Sequence, residues 1–397
     1  MRSITYEQFY EENIEYTTDI CRECNSKLEL VFKKYEIEID NRALIIEDFP
    51  QLECQNCGKK FLTEHSKKIV AEGYCELLRR GNTKVISKPR NLNKRYSFCE
   101  DMNFKYDYRD YDNIPGLHAL MGDGFLAPVF FNKECLIYFM HHPEYTLNIF
   151  SETYGVLGYK DEFEIPFGIN TNKKVIFWLG DLDKLDTVTQ NYLKINNIES
   201  DHRIINSEFY DAQLKVIWSN PIIERQIINL RNKMYDILKQ KYSLDLHHLD
   251  NEVINEIENI NKPITYSNLE VKPVISALHK ILIEAVNISN FKNYYENNVD
   301  KKDKNYKQWK SIKYYQFILS QYISDEDELK RIIAPLYLLN DLRIIYFHLV
   351  SIDEVEKLKN NIVSSLGINR FDDTENMYNK LMEGLKELFE KFNEVIE

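Results

Sequence analysis

Four of the seven cysteines come as two Cys-x-x-Cys pairs, CRECN (Cys21, Cys24) and CQNCGKKF (Cys54, Cys57), and no other feature constrains the N-terminal fold as much. A Cys-x-x-Cys turn holds two thiolates on one small loop, and two such loops complete a tetrahedron around Zn²⁺. Gly58, directly after the second pair, suits a tight knuckle with positive φ. Cys75, Cys99 and Cys135 stand alone, and this odd count fits a reducing compartment with a metal site better than a disulfide framework. A redox pair is the lesser alternative, because no thioredoxin-like βαβ pattern surrounds either motif. His65 is a nearby donor, but four thiolates already fill a structural site.

Between the pairs, LELVFKKYEIEID and RALIIEDFP read as strands of a small sheet. TEHSKKIVAEGYCELLRRG has helical periodicity and should stop at Gly81. The string IIEDFPQLECQNCGKKFLTEHSKKIV resembles the second half of the YgiT-type zinc finger, the zinc-binding domain of MqsA-like antitoxins. The resemblance spans about residues 18–81 and rests on the FP before the second pair, on CxxCG and on the following helix. The first knuckle departs from it, with Asn25 where that family often has glycine. What the resemblance implies is a structural, protein-binding module with no ligand position open to water.

A chain of 397 residues is too long for one ordinary core. The expected fold class is α+β, in three segments: a zinc-ribbon-like module over 1–87, a mixed α+β middle domain over 94–249, and a helical bundle over 263–397. KPRNLN (Lys88–Asn93) reads as the first linker. A net charge of −12 argues against a protein that coats nucleic acid over its whole surface. MRSITYEQFYEEN carries no apolar core of a secretory signal, and no apolar run approaches the roughly 20 residues that span a bilayer, so the cytoplasm is expected and a membrane is not.

In the middle segment, IPGLHALMGDGFLAPVFF frames an apolar strand, and EIPFGINTNKKVIFWLGDLDKL reads as two strands around a turn at Asn170–Lys173. SDHRIINSEFYDAQLKVIW reads as a loop followed by a helix or strand, and ERQIINLRNKMYDILKQKY as a helix. Its polar groups fall in three clusters: His141, His142 and Glu144; Asp181, Asp183 and Asp186; Asp201, His202, Glu208 and Asp211. Turn chemistry and a solvated edge account for them, with a hydrolytic metal centre as the rival reading. The segment is expected to act as a sensor or dimer scaffold.

Beyond KPITYSN the pattern is helical: VKPVISALHKILIEAVN, NYKQWKSIKYYQFILSQYI, DEDELKRIIAPLYLLNDLRIIYFHLV with a kink or break at Pro335, SIDEVEKLKNNIVSSLG and FDDTENMYNKLMEGLKELFEKFNEVIE. Ser351 and Glu354 form a capping signature, and Gly367 ends the fourth helix. The third helix sets Arg343 and His348 in an R-x4-H string, with Asn340, Asp341 and Tyr346 beside them. It resembles the HEPN ribonucleases, helical bundles that carry R-x4-6-H and usually work as dimers. The resemblance implies a metal-independent endoribonuclease acting on RNA through a composite site in a homodimer. In that reading His348 serves as acid–base group, Arg343 as phosphate ligand, and Asn340 and Tyr346 as secondary candidates. It further implies a toxin or abortive-infection effector against phage, with an antitoxin or phage-derived activator as partner.

Two counter-readings stand beside this one. Arg343 pairs with Asp341 in a structural network and His348 is an ordinary rim histidine; or zinc module and bundle are both non-catalytic regulatory, protein-binding surfaces. On a regular helix Arg343 and His348 lie roughly 140° apart, so they converge at a distorted turn or across a dimer. Lys301, Lys302, Lys304, Lys307, Lys310 and Lys313, interleaved with Tyr306, Trp309, Tyr314 and Tyr315, read as a slanting basic band on the second helix. The band is either an RNA track or a solvated face with its aromatics in the core.

Overall fold

Alternating apolar and polar residues in LELVFKKYEIEI and RALIIEDFPQLEC build a long antiparallel hairpin, β2 (Leu28–Ile39) and β3 (Arg42–Cys54). A computed structural model of the chain describes residues 3–13, 16–87, 94–117, 122–258 and 260–397; the linker expected at Lys88–Asn93 lies outside them. Asp40 and Asn41 turn the hairpin with φ of 47° and 62°, the left-handed pair that a two-residue type I′ turn requires. β1 (Ser3–Ile4), β4 (Lys60–Phe61) and β5 (Lys84–Ser87) complete the sheet, in the order β1-β2-β3-β4 with β5 also on β3. After α1 (Tyr6–Glu12), helix α2 (Glu64–Arg80) starts at Thr63, whose hydroxyl accepts from Ser66 N, and stops at Gly81 in the left-handed region.

The chain divides into two units, Met1–Asn220 and Pro221–Glu397. The second sheet of the first unit is antiparallel, in the order β11-β6-β10-β9-β8-β7. Its strands are β6 (Pro128–Asn132), β7 (Tyr145–Ile149), β8 (Tyr154–Tyr159), β9 (Phe163–Ile169), β10 (Lys174–Trp178) and β11 (Asn197–Ile198). The turn expected at Asn170–Lys173 joins β9 to β10. Helices α3 (Tyr108–Asn113), α4 (Cys135–His141), α5 (Leu179–Leu182), α6 (Thr187–Asn196) and α7 (Glu208–Lys215) flank it. Cys21, Leu28, Leu30, Leu52 and Cys54 share one core with Phe130, Ile176, Trp178, Phe209 and Tyr210. The cysteine-bearing module and the following α+β segment are therefore packed as one body, because the knuckle end of the hairpin buries apolar surface on the second sheet.

The second unit is helical: α8 (Ile223–Tyr242), α9 (Asp250–Glu258), α10 (Asn268–His279), a π turn (Lys280–Glu284), α11 (Ile288–Asn298), a 3₁₀ turn (Tyr306–Gln308), α12 (Ser311–Ser320), α13 (Glu326–Phe347), α14 (Ile352–Leu366) and α15 (Thr374–Ile396). The expected five helices are thus only part of the bundle. Helix α8, grouped by sequence with the middle segment, belongs here: Ile227, Met234 and Leu238 enter the same core as Leu381, Leu385 and Phe392 of α15. On α15 the buried residues recur at Met377, Leu381, Leu385, Leu388 and Phe392, the three-to-four spacing of a core-facing stripe. Truncating Leu385 to alanine would cost about 2–5 kcal/mol.

Helix α13 runs unbroken through Pro335, where a kink or break was expected. Pro335 is buried at the crossing with α15, and Gly384 opposite leaves room for its ring: a Cβ there would lie 2.9 Å from Pro335 Cγ. Packing of the ring offsets the lost backbone bond. Among the described residues no helix is long and apolar enough to cross a membrane.

Candidate functional site

The two cysteine knuckles have the same backbone geometry. Cys21 O accepts from Asn25 N (2.9 Å) and Cys54 O from Gly58 N (2.9 Å). Asn25 takes φ 57° where Gly58 takes φ 70°. Asparagine is among the few side chains that visit this left-handed region readily, so Asn25 serves where glycine is usual. The knuckles bring Cys21 Sγ to 3.6 Å from Cys57 Sγ and Cys24 Sγ to 3.4 Å from Cys54 Sγ, and all four sulfurs lie within 4.8 Å of one another. A tetrahedron with metal–sulfur bonds of about 2.3 Å spaces its sulfurs about 3.8 Å apart, so this set fits one tetrahedral ion. Hydrogen bonds with Ser26 pull the Cys24 thiol down to about 6. At Cys57 the Lys59 backbone N–H is outweighed by burial and by hydrogen bonds to the other three sulfurs, which push it up to about 12. The set shares its protons until a metal displaces them. His65 is not in the set; it faces Asp112 at 3.9 Å.

Of the polar clusters in the α+β segment, most groups hold turns, caps and surface pairs. Glu144 pairs with Lys160, Asp181 with Lys184, and Asp211 with Lys27. Asp186 caps α6, Asp201 accepts from the Asn170 and Asn172 amides, and Glu208 accepts from Thr153. His142 accepts from Glu144 N. Among the described residues, Cys21, Cys24, Cys54 and Cys57 alone form a group able to hold a metal, so the rival hydrolytic centre gains no support.

His202 instead meets a residue far away in sequence. Its Nδ1 lies 2.7 Å from Asp110, a fully buried carboxylate that also accepts from Ser200 Oγ, and its ring lies tilted against Phe32, 4.1 Å between centres. Burial lowers the His202 pKa, but Asp110 and Asp107 together overcome it and Arg109, and the net direction is upward. A histidine raised above its unfolded value stabilises fully below that value, about 6.5, and loses the contribution as pH rises through the folded value. Denaturant midpoints of the wild type are expected to fall from pH 6.5 upward relative to those of His202→Gln. A constant difference across that range would remove His202 as the cause.

At the end of α13 the backbone leaves the helix at His348, with φ −111° and ψ 147°. This break brings together the two residues that a continuing helix would hold apart. Arg343 Nη1 donates to His348 Nε2 at 2.6 Å within one chain, so the ring accepts through Nε2 and carries its proton on Nδ1. The π turn makes a second contact at the same five-residue spacing. His279 and Glu284 would also be roughly 140° apart on an α-helix, yet His279 Nδ1 lies 3.2 Å from Glu284 Oε1. Glu284 Oε1 is 3.3 Å from Arg343 Nη2, and His279 Nε2 is 3.3 Å from Asn340 Oδ1.

The result is a connected array, Asn340–His279–Glu284–Arg343–His348. His279 is buried, Arg343 half-buried, and His348 exposed. Burial pulls the His279 pKa below the usual histidine value, with the Arg343 charge adding to it and Asn340 and Glu284 opposing. Asp341, the expected partner of Arg343, accepts instead from Asn361 on α14 at 3.0 Å. Tyr346 packs against the core, 5.3 Å from Lys272 Nζ to its ring centre, and no hydrogen bond among the described residues joins it to the pair. Burial pushes its phenol up to about 12. Sequence reading missed His279 and Glu284, whose only local signal is an i, i+5 His–Glu pair in an apolar run.

The expected basic band is not a helical face. Lys301, Lys302, Lys304 and Lys307 precede α12, in coil and the 3₁₀ turn, and Lys310 sits at the residue before its first turn without a side-chain cap. Tyr314 and Tyr315 are core residues at 1% and 0% exposure, while the lysines are solvated. Comparison with protein families, curated proteins and solved structures finds no match to this chain.

Proposed function

We propose that the chain is a metal-independent endoribonuclease of the HEPN type, and that its cysteine knuckles carry a structural Zn²⁺. The contact between Arg343 and His348, completed by Glu284, carries the reading. Cleavage of RNA by its own 2′-hydroxyl needs a base for that hydroxyl and a cation at the phosphorane-like transition state. His348 is the acid–base group: its Nε2, which accepts from Arg343 in the free chain, is released to the 2′-hydroxyl when the guanidinium turns to the phosphate. Arg343 presents a planar fork to the phosphate, oriented by Glu284. His279 and Asn340 are positioning residues. Four thiolates leave the zinc no free position, so it supplies structure alone.

The active species is proposed to be a homodimer. Phe347, Leu349 and Ile352, exposed at 51%, 106% and 81%, flank His348 and offer the apolar surface that a second copy would cover. A toxin or abortive-infection role, held by an antitoxin or released by a phage-derived activator, follows from the family resemblance alone. The test is cleavage of labelled single-stranded RNA in EDTA, beside DNA of the same sequence. RNA products ending in 2′,3′-cyclic phosphate, with intact DNA and a dimer by sedimentation, support the reading. Cleavage of both polymers, or dependence on added metal, overturns it. RNA left intact by protein that is folded and zinc-loaded favours the non-catalytic binding role.

A further inference from the structure

A cleft of about 440 Å³, partly open to solvent, lies in the first unit away from the cysteine knuckles. Arg95, Tyr96, Phe98, Cys99, Phe104 and Tyr106 form most of its wall. The aromatic part of that wall is built in. Gly124, at φ 88°, lies under the Tyr96 ring, where a Cβ would come within 2.0 Å. Gly180 likewise makes room for Phe125, whose ring packs edge-on against Phe98 at 5.4 Å. Tyr96 in turn stacks beside Tyr106 at 5.9 Å. Glycine at positions 124 and 180 thus lets this set of rings close-pack.

Arg95 lines the cleft and Lys194 reaches its edge through Asn103 and Phe104; Glu100 is also in the wall, but among the described residues no ion pair joins it to either cation. Arg95 Nη1 donates to Phe104 O at 2.8 Å, and Lys194 Nζ donates to Asn103 O. The neighbouring carbonyls of residues 103 and 104 therefore hold the two charges side by side. Arg95 lies 5.4 Å from the Tyr106 ring centre and Lys194 5.7 Å from that of Phe104. Burial lowers the Lys194 pKa, and the charges of Arg95 and Lys105 lower it further. The Tyr96 hydroxyl, on the same wall, is buried without a hydrogen-bond partner among the described residues, and such an orphan points to a ligand or water.

We infer that this cleft binds a nucleoside monophosphate, its phosphate held by Arg95 and Lys194 and its base against the rings of Tyr106 and Phe98. The volume is within the range of small-ligand pockets, about 300–1,000 Å³. Paired cations suit a phosphate, and packed rings suit a planar base, whichever base it is. The proposal is independent of the nuclease reading.

The test is calorimetric titration of the full chain with adenosine, guanosine, cytidine and uridine monophosphates, beside adenosine, inorganic phosphate and a single-stranded oligoribonucleotide. At least one monophosphate is expected to bind saturably, with Kd below roughly 1 mM. Adenosine and phosphate should each bind at least about tenfold more weakly than it, as should the monophosphate to the Arg95→Gln/Lys194→Gln protein. Glutamine keeps a donor for the backbone carbonyl, and the variant's melting temperature checks its fold. On unaltered protein, the bound monophosphate should shield Lys194 from acetylation, read by mass spectrometry. No saturable binding by any monophosphate, binding by the oligoribonucleotide only, or an unshielded Lys194 would falsify the proposal.

Discussion

Replacing His348 with alanine is expected to slow RNA cleavage by roughly 10²–10⁴, the usual worth of a positioned acid–base group, while leaving the melting temperature nearly unchanged. The second half follows from placement. His348 is exposed and lies just past α13, so its loss opens no cavity. Arg343→Lys should cost roughly 10²–10³, because one ammonium cannot reproduce the fork that reaches Glu284 and His348 together. Asp341→Asn is the control. Its partner is Asn361, and activity should stay within about twofold. If the His348 and Arg343 substitutions instead lower stability and leave turnover per folded molecule intact, the array is a structural clasp between α13 and the π turn.

Cys54→Ser is expected to reduce bound zinc from about one ion per chain to nearly none. The consequence should extend past the knuckles. Cys21 and Cys54 are buried in the core that also holds Trp178, Phe209 and Tyr210, so losing the ion loosens the second sheet as well. The first unit should melt on the order of 10 °C lower, the shift that a loss of about 3 kcal/mol produces in a domain of this size. Protein that keeps its melting profile and near-ultraviolet spectrum without metal would show that packing alone holds the hairpin. Chelators should act on cleavage only through this unfolding, slowly and after zinc has left.

Local chemistry made several elements readable in advance. The Cys-x-x-Cys pairs, the β2–β3 hairpin, Gly81 after α2, the turn at Asn170–Lys173 and the Ser351 and Gly367 caps of α14 each depend on residues within a few positions of one another. Asn25, which in the sequence reads only as a departure from the family's glycine, closes its knuckle by the same kind of local backbone preference. In such places short-range sterics and hydrogen bonds exceed anything distant packing adds.

Other features were decided by residues far apart in the chain. Pro335 should break a helix, but the space over Gly384 on α15 keeps α13 whole. ERQIINLRNKMYDILKQKY reads as a helix from its period, yet only its fit against α15 assigns it to the second unit. The Lys301–Lys313 stretch looks like one helix, but burying Tyr314 and Tyr315 starts α12 only at Ser311. Residue types near Arg343 named the candidates without saying which would meet. A helix that stops at Phe347 and a π turn at Lys280–Glu284 each rotate a five-residue pair into contact. By itself the sequence determined the knuckles, the hairpin and the identities of Arg343 and His348. Tertiary structure alone decided their convergence with Glu284 and His279, because a departure from α-helical geometry is held in place by packing between helices, which no local pattern encodes.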